Sequence, residues 1–143
     1  MLSRENQFQV GMPPLPSMVP PPTLEVFYSS SCAPCRAELP VLAEFASKDG
    51  ARVRIIILSE EARARRELHA VSPLLEAAAE SRIEKSPGTV LRSAGNSLGI
   101  LPYARSTAAN GDVCARWKGW LTLARARDLM SACARLIASP APP

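Results

Sequence analysis

Residues 28–40 read Y-S-S-S-C-A-P-C-R-A-E-L-P, with Cys32 and Cys35 separated by Ala33 and Pro34. Two cysteines at this spacing can share a metal, lock a turn, or cycle between dithiol and disulfide, and their surroundings choose among these. The preceding run, T-L-E-V-F-Y, is rich in β-formers. From Ala33 to about Ser47, the residues Leu39, Leu42, Ala43 and Ala46 recur at helical spacing. Cys32 therefore falls where a strand hands over to a helix, at or next to the N-cap. Backbone N–H groups there lack intrahelical partners, and the helix dipole adds partial positive charge. Both stabilise a thiolate, so Cys32 is expected to react at neutral pH. Arg36 adds a cation nearby, and Pro34 suits the first turn. Cys35, one turn on, can attack a mixed disulfide formed at Cys32 and release the product.

The alternatives are weaker. A zinc site needs four ligands, and His69, Cys114 and Cys133 are each isolated in the sequence. A purely structural crosslink over so short a loop gains little from closure. The pair reads as a redox centre with no metal. Cys114 shares strand parity with Arg116 and Lys118 rather than with Val113, Ala115 and Trp117, whereas Cys133 lies on the apolar stripe of the last helix. Two unpaired thiols acting as small apolar side chains are the simpler reading. A second disulfide, Cys114–Cys133, forms if the two elements pack together. His69 is expected on a helix surface, and Trp117 and Trp120 as packing at the sheet edge.

Positioning these groups requires a fold. The 143 residues suit one domain, and 47% hydrophobic and 21% charged residues describe a globular chain. The net charge is +4, but the arginines are scattered among acids and alanines, as in Arg63-Ala64-Arg65-Arg66-Glu67. That excludes a nucleic-acid stripe with interleaved aromatics. No stretch approaches the ~20 apolar residues of a membrane span, and the first residues lack the apolar region of a secretory signal. Residues 1–22 hold six prolines between Pro13 and Pro22 and are expected as an extended, flexible arm. Residues 23–138 form the domain, and 139–143 are a disordered tail.

Within the domain, R-V-R-I-I-I-L-S (52–59) is a continuous β-branched run, the mark of a strand buried on both faces of a parallel sheet. Helical sequence follows from Glu60, and Ser72-Pro73 opens a second piece. A short strand is expected at 89–91. Asn110-Gly111 predicts a hairpin between Y-A-R-S-T-A and V-C-A-R-W-K. A final helix over about 122–137 carries Leu129, Cys133, Leu136 and Ile137 on one stripe. The expected class is α/β, a mixed sheet with helices on both faces.

With its elements in this order, the chain resembles the thioredoxin superfamily, and within it the TlpA/ResA-like thiol–disulfide oxidoreductases of bacteria. The resemblance runs from about Thr23 to Ile137. C-A-P-C-R-A-E-L-P is similar to the family's C-x-P-C-[RK]-x-E-x-P, and G-I-L-P-Y-A to its G-x-x-P-x-x. It implies that Pro40 kinks the active-site helix and that Glu38 influences the proton chemistry of the cysteines. It also implies that the Leu101–Pro102 bond is cis and faces the pair, where it offers backbone to an extended substrate. Gly119 matches a glycine after the last strand. Cys32, Cys35 and Glu38 are then the catalytic residues, and Leu101, Pro102, Ser31, Ala33 and Pro34 line the substrate surface. Two positions depart from relatives: Ser31 stands where tryptophan is usual, and Val26 where thioredoxins bury an acid.

The resemblance implies a thiol–disulfide oxidoreductase that reduces disulfides in protein substrates. It requires no cofactor, draws electrons from an upstream thiol reductase, binds no nucleic acid, and is expected as a monomer. Members are typically exported or tethered, so a periplasmic site is expected, with the proline-rich arm as a spacer after a removed leader; the alternative is the cytoplasm. From another class, a thioredoxin-fold copper chaperone or non-catalytic adaptor would need His69 to complete a metal site.

Overall fold

The computed structural model describes residues 20–138; most of the arm assigned to 1–22 and the tail assigned to 139–143 lie outside them. Eleven elements follow in order: β1 Thr23–Tyr28, α1 Ala33–Ala37, α2 Leu39–Lys48, β2 Arg52–Ile57, α3 Glu61–Val71 and α4 Pro73–Ala77, then β3 Ala79–Ser81, α5 Pro87–Ser93, β4 Tyr103–Thr107, β5 Val113–Lys118 and α6 Leu123–Ala138.

The five strands form one mixed sheet in the order β3-β2-β1-β4-β5. β1, β2 and β3 run parallel, whereas β4 pairs antiparallel with both β1 and β5. The period-2 alternation of β1 and β2 splits the core between two faces. Leu24, Val26, Tyr28, Ile55 and Ile57 point to the larger cluster, which also takes Leu39, Leu42 and Phe45 of α2, Leu68 of α3, Leu75 of α4 and Leu129 of α6. Phe27, Ile56, Leu58 and Tyr103 point the other way, against Leu91 and Ala94 around α5. Helices on both faces bury the second half of β2, Ile55, Ile56 and Ile57, whereas Arg52 and Arg54 at its start are exposed, so the run is buried on both faces only over its apolar part.

Two expectations are corrected, and one strand was not foreseen. Residues 89–91 are helical. Ser86 caps α5 by accepting the Thr89 N–H at 3.3 Å, and Pro87 opens it, so the serine–proline signal that marks α4 at Ser72 operates here too. The helical stretch after Ser72 stops at Ala77. Ala79–Ser81 then pairs with Ile55–Ile57 as an edge strand whose alanine and glutamate carry no β signal of their own. On α6, Leu129 and Cys133 are buried, but Leu136 is half exposed.

The fourth difference concerns the second cysteine pair. Cys114 and Cys133 form a disulfide, with Cα atoms 5.0 Å apart, so the two-thiol reading is overturned. Strand alternation assigned Cys114 to the wrong side because β5 carries a bulge: Ser106 pairs with Ala115 and Thr107 with Val113, leaving Cys114 as the extra residue. A bulge breaks parity and re-aims its side chain, here toward the buried Cys133. Closing a loop of sequence separation 19 removes denatured-state entropy worth about 3 kcal/mol. The Cys114→Ala/Cys133→Ala double variant should therefore lose about that much stability. In urea unfolding this appears as a lower midpoint with the Cys32–Cys35 pair untouched; an unchanged midpoint would remove the bridge's structural role.

Candidate active site

β1 ends at Tyr28, and Ser29–Ser31 turn the chain into α1. Cys32 is the N-cap of α1, with extended backbone (φ −94°, ψ 101°). Its Sγ accepts the N–H of Cys35 at 3.2 Å, and its own N–H donates to Ser29 O at 3.0 Å. A sulfur thus occupies the place where a serine or aspartate oxygen usually satisfies a free helix donor. Pro34 lies in the first turn and costs no hydrogen bond there. Cys32 and Cys35 are bonded, with Cα atoms 5.2 Å apart. Their exposures differ: Cys32 is half-buried and Cys35 is 3% exposed. The reachable sulfur is the one at the helix end.

α1 and α2 meet at Glu38. Pro40 has no N–H to offer the carbonyl of Arg36, so the helical ladder breaks there and resumes from Leu39. Glu38 is buried, and its Oε1 accepts the N–H of Leu121, in the loop between β5 and α6, at 2.7 Å. Burial pushes its carboxyl up to about 7, against the opposing pull of the Leu121 N–H. A group titrating there can take or give a proton at neutral pH. Val26, the position without an acid, is a buried core residue.

Ser31 and Ala33 are exposed on the rim of the pair, and Pro34 is half-buried. Leu101 and Pro102 are half-buried too, and the bond between them is cis. Leu101 and Cys32 pack against the same core cluster. The Pro102 carbonyl accepts the N–H of Gly119 at 3.0 Å. Gly119 has φ +115°, a conformation that excludes ordinary side chains, which accounts for glycine at this point. Trp117 packs on the larger core and donates Nε1–H to the Trp120 carbonyl at 2.8 Å, whereas Trp120 itself is 60% exposed. His69 pairs with Glu76 at 2.7 Å between α3 and α4.

Several residues escaped sequence reasoning. Buried Asn96 donates Nδ2–H to the Ile100 carbonyl at 2.6 Å and braces the loop that ends at Pro102. Glu67 accepts the hydroxyls of Tyr28 and Ser30. Arg36 donates to the Ser30 carbonyl, so this cation is tethered to the cysteine loop. No short motif carries these contacts. Among the described residues, no group of three His, Cys, Asp or Glu side chains is placed to hold a metal, and no helix is long and apolar enough to cross a membrane.

A carboxyl that ionises near 4.5 in the unfolded chain and near 7 in the fold keeps its proton longer in the native state. Stability from Glu38 is therefore full below about pH 4.5 and declines as pH rises to about 7, by on the order of 3 kcal/mol in all. Glu38→Gln keeps an oxygen for Leu121 and removes the ionisation. Urea unfolding of the oxidised protein across pH 4–8 should show the wild type losing stability relative to Glu38→Gln; parallel curves would mean that Glu38 ionises freely.

No protein-family profile matches the sequence, and no curated protein matches it. Solved structures do. A thioredoxin-related protein from Neisseria meningitidis serogroup B superposes with a TM-score of 0.65 at 18% identity, covering 86% of this chain and 93% of the other. The exposed lipoprotein thioredoxin of Streptococcus pneumoniae gives 0.58 at 17% identity over 78% and 84%. A secreted Mycobacterium tuberculosis disulfide oxidoreductase gives 0.53 at 16% over 80% and 81%. The fold of this chain is thioredoxin-like.

Proposed function

We propose that this protein is a thiol–disulfide oxidoreductase that reduces disulfides in protein substrates through Cys32 and Cys35. One observation carries the reading: a bonded cysteine pair at a helix end, with one half-exposed and one buried sulfur, lies a turn from a buried carboxyl that titrates near neutrality. The thioredoxin-like fold around it supports the assignment.

In the reduced protein, the Cys32 thiolate attacks one sulfur of a substrate disulfide. A mixed disulfide forms and the other substrate sulfur leaves as a thiolate. Cys35, deprotonated in turn, attacks Cys32 Sγ, closes the Cys32–Cys35 disulfide and expels the second substrate sulfur. Two electrons pass to the substrate with two protons, and Glu38 is suited to relay a proton from Cys35 at neutral pH. An upstream thiol reductase restores the dithiol. Ser31, Ala33, Pro34, Leu101 and Pro102 form the surface on which an extended substrate segment lies, and exposed Trp120, next to Gly119, supplies apolar contact that Ser31 does not.

The reducing direction rests on the Ala33-Pro34 pair, which lacks the histidine of strong oxidants. The site of action is outside the cytoplasm, the periplasm in a two-membrane cell. Cys114–Cys133 is a bridge that persists in oxidising compartments, and two similar structures belong to a secreted protein and an exposed lipoprotein. The protein acts as a monomer. A copper-carrying role finds less support, because His69, the histidine that would complete such a site, is engaged with Glu76.

Cys35→Ser should accumulate a mixed disulfide with protein substrates, held through Cys32. Cys32→Ser should trap nothing and lose insulin reduction. Non-reducing gels with mass spectrometry of the adduct read this directly; no adduct on Cys35→Ser, or one on Cys32→Ser, would overturn the roles.

A further inference from the structure

The loop that delivers Cys32 is gripped from another element. Glu67, on α3, directs Oε1 to two hydroxyl donors: Ser30 Oγ at 2.6 Å and Tyr28 OH at 2.8 Å. Ser30 is 0% exposed and stands two residues before Cys32; Tyr28, the last residue of β1, is 1% exposed. Arg36, one turn after Cys32, donates Nη1–H to the Ser30 carbonyl. Ser30 is thus held by its hydroxyl from α3 and by its carbonyl from α1. The neighbouring Ser29 hydroxyl meets Ser31 at 2.8 Å and Ser59 at 3.3 Å, and the Ser29 carbonyl accepts the Cys32 N–H. A shift of Ser30 would carry Cys32 with it.

The charges around this point are unequal. Arg63 Nε lies 3.6 Å from Glu67 Oε2. Arg36 instead bonds the Ser30 carbonyl and acts on the carboxylate through its charge alone. Burial works against ionisation of Glu67, but the Ser30 and Tyr28 hydroxyls and then the Arg63 and Arg36 charges outweigh it and hold the carboxyl below its usual range. Burial, with the Glu67 contact adding to it, raises the Tyr28 phenol, which stays neutral. From the other side, Glu38 is turned to Leu121 and near neutrality carries only part of a charge.

We propose that Glu67 is a positioning residue of the Cys32/Cys35 site: its carboxylate clamps Ser30 and Tyr28, seats Cys32 at the helix end, and offsets the Arg36 and Arg63 cations there. The inference rests on the reading of Cys32 as the attacking thiol. Its two parts act in opposite senses. The clamp keeps Cys32 where helix donors stabilise its thiolate, whereas the negative charge opposes that thiolate.

Two substitutions separate them, read by the pH dependence of Cys32 alkylation and of thiolate absorbance in the reduced protein. Glu67→Gln keeps an oxygen for both hydroxyls and removes the charge. It should lower the Cys32 thiol pKa by about half a unit, roughly a threefold gain in thiolate below the pKa. Ser30→Ala keeps the charge and loosens the clamp, and should raise that pKa. Tyr28→Phe removes the second hydroxyl, should raise it likewise, and stands in if either variant fails to fold. A purely structural contact would change melting and leave Cys32 unmoved. Folded variants that titrate with the wild type would overturn the proposal, as would a Glu67→Gln shift in the same direction as that of Ser30→Ala or Tyr28→Phe. Insulin reduction by the wild type runs in parallel. An inactive wild type with the expected shifts removes the reductase reading alone, and an active wild type with unmoved variants removes the clamp alone.

Discussion

The N–H of Cys35 donates to the sulfur of Cys32, and most of the architecture can be read as support for that contact. A helix N-terminus presents donors with no partner in the preceding chain, and here one falls to a sulfur that, in the proposed chemistry, must also accept and release a covalent bond. For this the sulfur must lie between a strand end and a helix start and stay reachable, while its partner sits inside. The central position of β1, paired with β2 on one side and β4 on the other, fixes the strand end. The packing of Leu39, Leu42 and Phe45 against the sheet fixes the helix. Burial of Cys35 one turn on follows from the helical period, since the face that carries it carries the core.

Two other polar devices answer to the same constraint from different distances. Glu38 closes the helix break made by Pro40 and, through the Leu121 N–H, joins the cysteine helix to the approach of α6. Its raised pKa is a consequence of burial, so one residue ties two elements together and titrates near neutrality. The Cys114–Cys133 bridge fastens α6 to β5 and so fixes the far end of the segment that holds Leu121. Both disulfides join a partly exposed cysteine to a buried one. Their settings differ: Cys32 caps a helix one turn from Cys35 and near Glu38, whereas Cys114 sits on a strand bulge and ties β5 to α6.

What the sequence made legible was local. C-A-P-C-R-A-E-L-P carried the helix end, and its resemblance to the family motif added the kink at Pro40 and an acid near the cysteines; the burial of Glu38 was not legible there. The run Arg52–Ile57 announced a central strand through its β-branched side chains, and Asn110-Gly111 announced the hairpin through the positive φ that Gly111 adopts. What stayed hidden depended on partners distant in the chain. Ala79–Ser81 is a strand only because Ile55–Ile57 lies beside it. The strand parity of Cys114 misled because the bulge opposite Ser106 and Thr107 leaves no mark in composition. Glu67 meets Ser30 across 37 residues, and in sequence it is one more acid on a charged helix. The 89–91 segment is different: Ser86-Pro87 was a readable cap, outweighed by the β-branched residues that followed it.

The central claim is that Cys32 and Cys35 cycle reversibly and in the reducing direction. Its most direct test is the equilibrium reduction potential of the pair in glutathione buffers, followed by alkylation and mass mapping so that Cys114–Cys133 is scored separately. A reducing pair should lie between the ~−270 mV of thioredoxin and the ~−180 mV of protein disulfide isomerase. A value above about −150 mV, toward the strongest oxidants of this fold, would contradict it.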